Sequence, residues 1–187
     1  MAAKASFIKK YGNLKPAKRI DIILDYYQDF PGIIEGQQES LVYRIKNERD
    51  YVRQRRRGDL GVRVQSSGTS NPTLREALEN LSIEAAVNGE EDMDVLLQYV
   101  DQKEVEEIFR EFFILQKMRE EYRLLTNQLL LLSSKEKKIF KFFIEGNHDF
   151  QDLAEVEGIQ NDSARRRIWQ IKKKIKDETV ESMLESL

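Results

Sequence analysis

Met118, Tyr122, Leu125, Leu129 and Leu132 follow one another at intervals of four, three, four and three residues. Only an α-helix, at 3.6 residues per turn, keeps such positions on one side. Ile108, Phe112 and Leu115 begin the same seam, inside a long helix expected over residues 92–131. A seam of this spacing needs an apolar partner along its length. That partner is either another part of the chain or a second subunit, which would make the protein a homo-oligomer through the long helix. Three Pro and nine Gly in 187 residues leave little to interrupt helices. The chain therefore reads as all-α, with one or two small domains.

The remaining elements follow the same logic. Ile20, Ile23, Leu24 and Tyr27 stripe a helix over 16–30, with Pro31-Gly32 as its stop. Leu41, Ile45 and Val52 mark a cation-rich helix over 37–56, and Gly58 and Gly61 break it. Val62-Arg63-Val64 alternates like a short strand, and residues 66–71 (SSGTSN) read as a loop. Asn71-Pro72 is an N-cap followed by proline at the first helical position. Leu74, Leu78, Leu81 and Ala85 give that helix its buried stripe, and Asn88-Gly89 ends it. The expected partition is sequential: a helical N-terminal region with a basic segment and loop (1–88), a long acidic helix or linker (89–132), a C-terminal module (133–176) and an acidic tail (177–187).

Charge is segregated along the chain. Residues 44–63 hold eight Arg/Lys against three Asp/Glu, and residues 76–121 hold four against fourteen. Residues 133–176 hold eleven against seven, and the tail has four acids and no base. Two basic blocks around an acidic one suggest a polyanion partner or, more simply, solvated faces. There is no cysteine, which excludes disulfides and thiolate metal sites. No signal peptide and no apolar run of about 18 residues is evident, so a cytoplasmic protein without a membrane partner is expected.

The last third carries the most specific pattern. Ser133-Ser134-Lys135-Glu136 is a capping box, and Ile139, Phe140, Phe143 and Ile144 supply an apolar face before Gly146-Asn147. Asp149 caps a short helix that buries Leu153, Ala154 and Val156, and Gly158 stops it. Ile159 and a helix from Asn161 follow, with Ala164, Ile168, Ile171 and Ile175 as the buried stripe. A short helix, a glycine turn and a long amphipathic helix are the parts of a helix-turn-helix. The opposite face carries side chains suited to a major groove, since Arg pairs with guanine, Gln with adenine and Lys with phosphate. The expected DNA-binding residues are Asn161, Asp162, Ser163, Arg165, Arg166, Arg167, Trp169, Gln170, Lys173 and Lys174. Lys172 and Lys176 join Lys173 and Lys174 as backbone contacts, and Arg165 and Arg167, on the flanks of the buried stripe, are assigned to phosphates, for about six phosphates in all. Trp169 is either groove-facing or a partly buried anchor against Phe140 or Phe143. Arg53, Arg55, Arg56 and Arg57 form either a second DNA contact or a solvated helix end.

The segment resembles region 4 of sigma-70-type RNA polymerase factors. The match runs through Leu132-Ser133-Ser134-Lys135-Glu136-Lys137-Lys138-Ile139-Phe140, then Gly146, then Asp152-Leu153-Ala154 to Gly158-Ile159, then Ser163-Ala164 to Ile168. It covers about a quarter of the chain, and no segment resembles the promoter-melting region of that family. With its basic, helical N-terminal half and its Gly-Val-Arg-Val-Gln-Ser-Ser-Gly loop, the layout is similar to ArpU-type late transcription activators of phages and prophages. The resemblance implies a sequence-specific transcription regulator in a bacterial host cytoplasm, bound to double-stranded DNA and in contact with RNA polymerase.

Two other readings stay open: a phage small terminase subunit bound to packaging DNA, and a helical interaction or oligomerisation protein that binds no DNA. His148, the single histidine, lies in a turn without ligand partners. Glu90, Glu91, Asp92 and Asp94 suit a helix N-terminus better than a cation. With no phosphate-cradling glycine loop and no nucleophile motif, neither a cofactor, a metal nor an enzymatic activity is expected.

Overall fold

Proline begins helices in this chain and does not end them. The computed structural model describes residues 7–58, 72–145 and 148–185. Pro16 opens α2 (Pro16–Asp25), which follows a short α1 (Phe7–Gly12) that the sequence reading did not anticipate. Pro31, read as a stop, is the second residue of α3 (Phe30–Gly58). A first-turn position has no intrahelical partner for its N–H, so proline costs nothing there. The expected helix over 16–30 therefore ends at Asp25, and α3 starts seven residues before the expected 37.

The other elements are α4 (Pro72–Asn88), a 3₁₀ segment (Met93–Gln98), α5 (Gln102–Leu131), α6 (Ser134–Glu145), α7 (Phe150–Glu157) and α8 (Asn161–Glu185). The fold is all-α, with no strand among the described residues. The expected strand at 62–64, the loop at 66–71 and the Asn71 cap lie outside the described residues. No helix among those described is long and apolar enough to cross a membrane.

Three expectations fail for identifiable reasons. The helix over 92–131 is interrupted because two aspartates cap it in succession. The Asp92 carboxylate accepts from the Asp94 amide (3.1 Å) and starts the 3₁₀ segment, and Asp101 accepts from the Lys103 amide (3.2 Å) and starts α5. In α4 the buried side chains are Ile83, Ala86 and Val87. Leu74, Leu78 and Leu81 are exposed and Ala85 is half-buried, because α4 packs on the 3₁₀ segment through its C-terminal half. The acidic tail is not a separate element, since α8 continues to Glu185. Its stripe extends to the buried Thr179, and Ser182 accepts from the Gln128 side-chain amide (3.1 Å).

The chain divides into two units, residues 1–34 with 117–187 and residues 35–116, and not into the sequential partition expected. The division is non-sequential because α3 and α5 each run from one unit into the other. The seam of α5 is covered by the chain itself. Ile108, Leu115, Met118 and Leu125 are fully buried, and Phe112 and Leu132 nearly so. Tyr122 and Leu129 of the same seam are half-buried.

In the unit of residues 35–116, Leu41, Ile45, Ile83, Leu96 and Ile108 form the core. Around them the basic residues of α3 meet the acids of α4 and α5. Arg44 pairs with Glu104 (2.6 Å), Glu107 (2.9 Å) and Glu111 (3.2 Å), and Lys46 pairs with Glu84 (2.7 Å). The buried Arg49 donates to Asn80 (2.7 Å), and Arg53 pairs with Glu79.

In the other unit a series of rings links the helices. Tyr11 packs on Phe30, Phe30 on Tyr122, Tyr122 on Tyr27 and Tyr27 on Phe140, at centroid separations from 5.5 to 5.9 Å. Beside them lies a buried polar cluster. The Arg19 guanidinium of α2 grips the Glu121 carboxylate of α5 through Nε (2.8 Å) and Nη2 (2.6 Å), and the Tyr11 hydroxyl of α1 donates to Glu121 (2.6 Å). Arg19 and Glu121 are 4% and 3% exposed. Burial, then the Glu121 charge, pushes the Tyr11 phenol far above the usual tyrosine range.

Breaking this pair leaves an uncompensated buried charge. Glu121→Leu is expected to cost about 3–5 kcal/mol in urea unfolding, and the double change Arg19→Met with Glu121→Leu to recover most of that loss. A double variant no more stable than Glu121→Leu alone would contradict a pair that matters through its charge.

Candidate nucleic-acid interface

The segment from Ser133 onward is built by local hydrogen bonds that the sequence specifies. The Glu136 carboxylate accepts from the Ser133 amide (2.9 Å) and hydroxyl (2.6 Å), while the Glu136 amide donates to the Ser133 hydroxyl (3.3 Å). The Ser133 hydrogen bonds hold the Glu136 carboxyl below the usual carboxylate range. A second reciprocal cap opens α7. Asp149 accepts from the Gln151 (2.6 Å) and Asp152 (2.9 Å) amides, and Asp152 accepts from the Asp149 amide (3.0 Å). The expected helix end at Gly146-Asn147 lies outside the described residues.

Gly158 ends α7 in the left-handed region, at φ +62°. The Ile159 amide then reaches back to the Ala154 carbonyl (2.9 Å). Gln160 redirects the chain, and its carbonyl accepts from Ser163 (2.9 Å) and Ala164 (3.0 Å) at the start of α8. Ile139, Phe140, Leu153 and Ala154 are buried under the α8 stripe of Ala164, Ile168, Ile171 and Ile175. Val156, expected with them, is exposed. It falls two residues after Ala154, on the far side of a 3.6-residue turn. α8 packs chiefly on α7 and α2, and also on α6.

α2 was not part of the expected module, and it changes which cations are available. Lys176 pairs with Asp21 of α2 (2.6 Å), and Lys172 approaches Asp25 (3.6 Å). Lys174 pairs with Glu136 (3.4 Å), and Arg167 pairs with Glu157 (3.0 Å) and is only part-exposed. These four cations, read from the sequence as phosphate contacts, are held by carboxylates of the same chain.

What remains forms a ridge on the solvent side of α8. Asn161, Asp162, Ser163, Arg165, Arg166, Trp169, Gln170 and Lys173 are all exposed. Among the described residues Arg166 and Gln170 have no side-chain partner. The Arg165 guanidinium lies over the Phe150 ring (5.3 Å), which stacks on Phe143 (4.8 Å). Trp169 is 61% exposed, so it does not anchor against Phe140 or Phe143. Its ring carries the Lys173 ammonium at 5.2 Å instead.

The basic run of α3 is placed differently. Arg53 is engaged by Glu79, and Arg55 reaches Asp101 (3.2 Å). The side chains of Arg56 and Arg57 lie outside the described residues. His148, read as a solvated turn residue, stacks flat on Phe142 (4.0 Å), with Nδ1 3.4 Å from Asp152. Of the four acids near position 92, Asp92 is the cap described above and Glu91 accepts from the Ser82 hydroxyl (2.7 Å). No family model, curated protein or solved structure matches the chain.

Two outcomes follow for the segment. Ser133→Ala is expected to lower stability by about 1 kcal/mol at neutral pH. The folded Glu136 carboxyl titrates below its unfolded value, so this difference is present above the unfolded pKa and shrinks as pH falls through the folded one. Melting curves at neutral and acid pH check it; an unchanged difference in acid would contradict the reciprocal cap. Gly158→Ala meets no atom within 4 Å, so its expected loss of about 1–2 kcal/mol is purely backbone strain. A neutral effect on thermal unfolding would contradict the left-handed turn.

Proposed function

We propose that the chain is a sequence-specific, double-stranded-DNA-binding transcription regulator, in which α7, its glycine turn and α8 work as a helix-turn-helix. The observation that carries this is the exposed ridge of Arg165, Arg166, Trp169, Gln170 and Lys173, whose three cations have no carboxylate partner among the described residues, on a helix where Arg167, Lys172, Lys174 and Lys176 are paired within the chain. A cationic helix that merely solvated a bundle would not need to separate its charges in this way. Arg166 and Gln170 supply the two side chains that bind purine edges in a bidentate manner, while Arg165 and Lys173 flank them for phosphates. The likeness of residues 132–168 to region 4 of sigma-type factors supports a regulator of transcription, with RNA polymerase as its protein partner and a phage or prophage operon as its setting.

With contacts from α8 alone, about three of its cations remain for the duplex, so the slope of log affinity against log salt is expected near −3 and not the steeper value of six phosphates. Lys173→Ala should flatten that slope by about one. Lys172→Ala and Lys176→Ala should leave it unchanged, and Arg166→Ala should lose about ten- to a hundredfold on the preferred duplex with little change on random DNA. Fluorescence-anisotropy titrations across salt concentrations measure all four. Absence of salt-dependent duplex binding would overturn the proposal.

A further inference from the structure

An indole left 61% exposed among polar neighbours on a stable helix is unusual, because burying its ring is strongly favourable. Trp169 does not share the buried stripe of Ala164, Ile168, Ile171 and Ile175. It projects instead from the ridge face, three residues from Arg166, next to Gln170 and under the Lys173 ammonium. A duplex major groove offers an indole one matching group. Thymine presents its C5 methyl beside the O4 acceptor, and an indole is an apolar plate with a single N–H donor.

The geometry points to Trp169 as the residue that reads a thymine methyl in the bound site. This rests on the DNA-binding reading above and deepens it by naming the base class. Arg166 and Gln170, on either side, supply purine recognition, so the preferred site contains a thymine among purine contacts. The cations around Trp169 make a polyanion the fitting occupant of this face, where a protein partner's apolar pocket would meet the exposed, polar Arg166 and Gln170 side chains and the Lys173 ammonium.

The test uses the full chain and a duplex recovered from a random-sequence pool by the wild-type protein. Each thymine is replaced in turn by deoxyuridine, which removes only the methyl. At one position, wild type is expected to lose about fourfold in affinity, the worth of one buried methyl-sized group. Trp169→Ala should bind the thymine duplex more weakly and be indifferent to deoxyuridine at that position. Arg166→Ala should bind weakly yet keep the fourfold methyl effect. Trp169 is largely exposed, so melting temperatures should confirm that its removal leaves the fold intact. If no duplex is recovered or binding ignores salt, the DNA-binding reading falls and this inference with it. If binding is specific but every deoxyuridine is neutral, or Trp169→Ala keeps the methyl effect, this inference alone is overturned. Unchanged DNA binding by Trp169→Ala would assign the ring to a protein contact and overturn it as well.

Discussion

The grip of Arg19 on Glu121 is the contact on which the presentation of α8 depends. Two charges this deeply buried are tolerable only as a pair, and their geometry is that of a fork on a carboxylate with Tyr11 as a third partner. The pair fixes α2 against α5. α2 in turn packs along α8 and offers Asp21 and Asp25 to its lysines. An N-terminal helix thus decides which side of the C-terminal helix is covered and which of its cations stay free. The proposed reading head is built by residues separated by more than a hundred positions, although its motif is local.

The same rule governs the other unit. Segregated charge along the chain invited a polyanion partner for residues 44–63, but the fold brings the described cations of that block onto acids of the same unit. Arg44, Lys46, Arg49 and Arg53 each meet carboxylates from residues 76–111. Opposite blocks close in sequence can satisfy each other more cheaply than either can wait for a ligand. The exposed ridge of α8 differs because, among the described residues, no acid-rich element is packed over it.

Local signals were legible in the sequence and distant ones were not. The Ser133–Glu136 box, the Asp149 cap, the Gly158 turn and the Ala164–Ile175 stripe are all set within a few residues, and each stands where the sequence placed it. The 4-3-4-3 seam of α5 was equally plain, because a period of 3.6 is read directly from apolar spacing. What a stripe packs against is not local. Leu74, Leu78 and Leu81 have the spacing of a buried face and are exposed, while Lys172 and Lys176 have the position of phosphate contacts and are paired. Pro31 was misread because proline stops one helix and starts another by the same missing N–H. Within the candidate ridge, the sequence named Arg166, Gln170 and Lys173, but only tertiary packing separates them from the neutralised cations beside them.

Trp169 is the only tryptophan in the chain, so its fluorescence reports on the ridge alone. The most direct measurement is acrylamide quenching of that emission, without DNA, with duplex DNA at low salt, and after the salt is raised. The account expects ready quenching in the free protein, protection on adding duplex and renewed quenching at high salt. Quenching that stays unchanged while the protein binds duplex would place the contact elsewhere on the molecule and contradict the account.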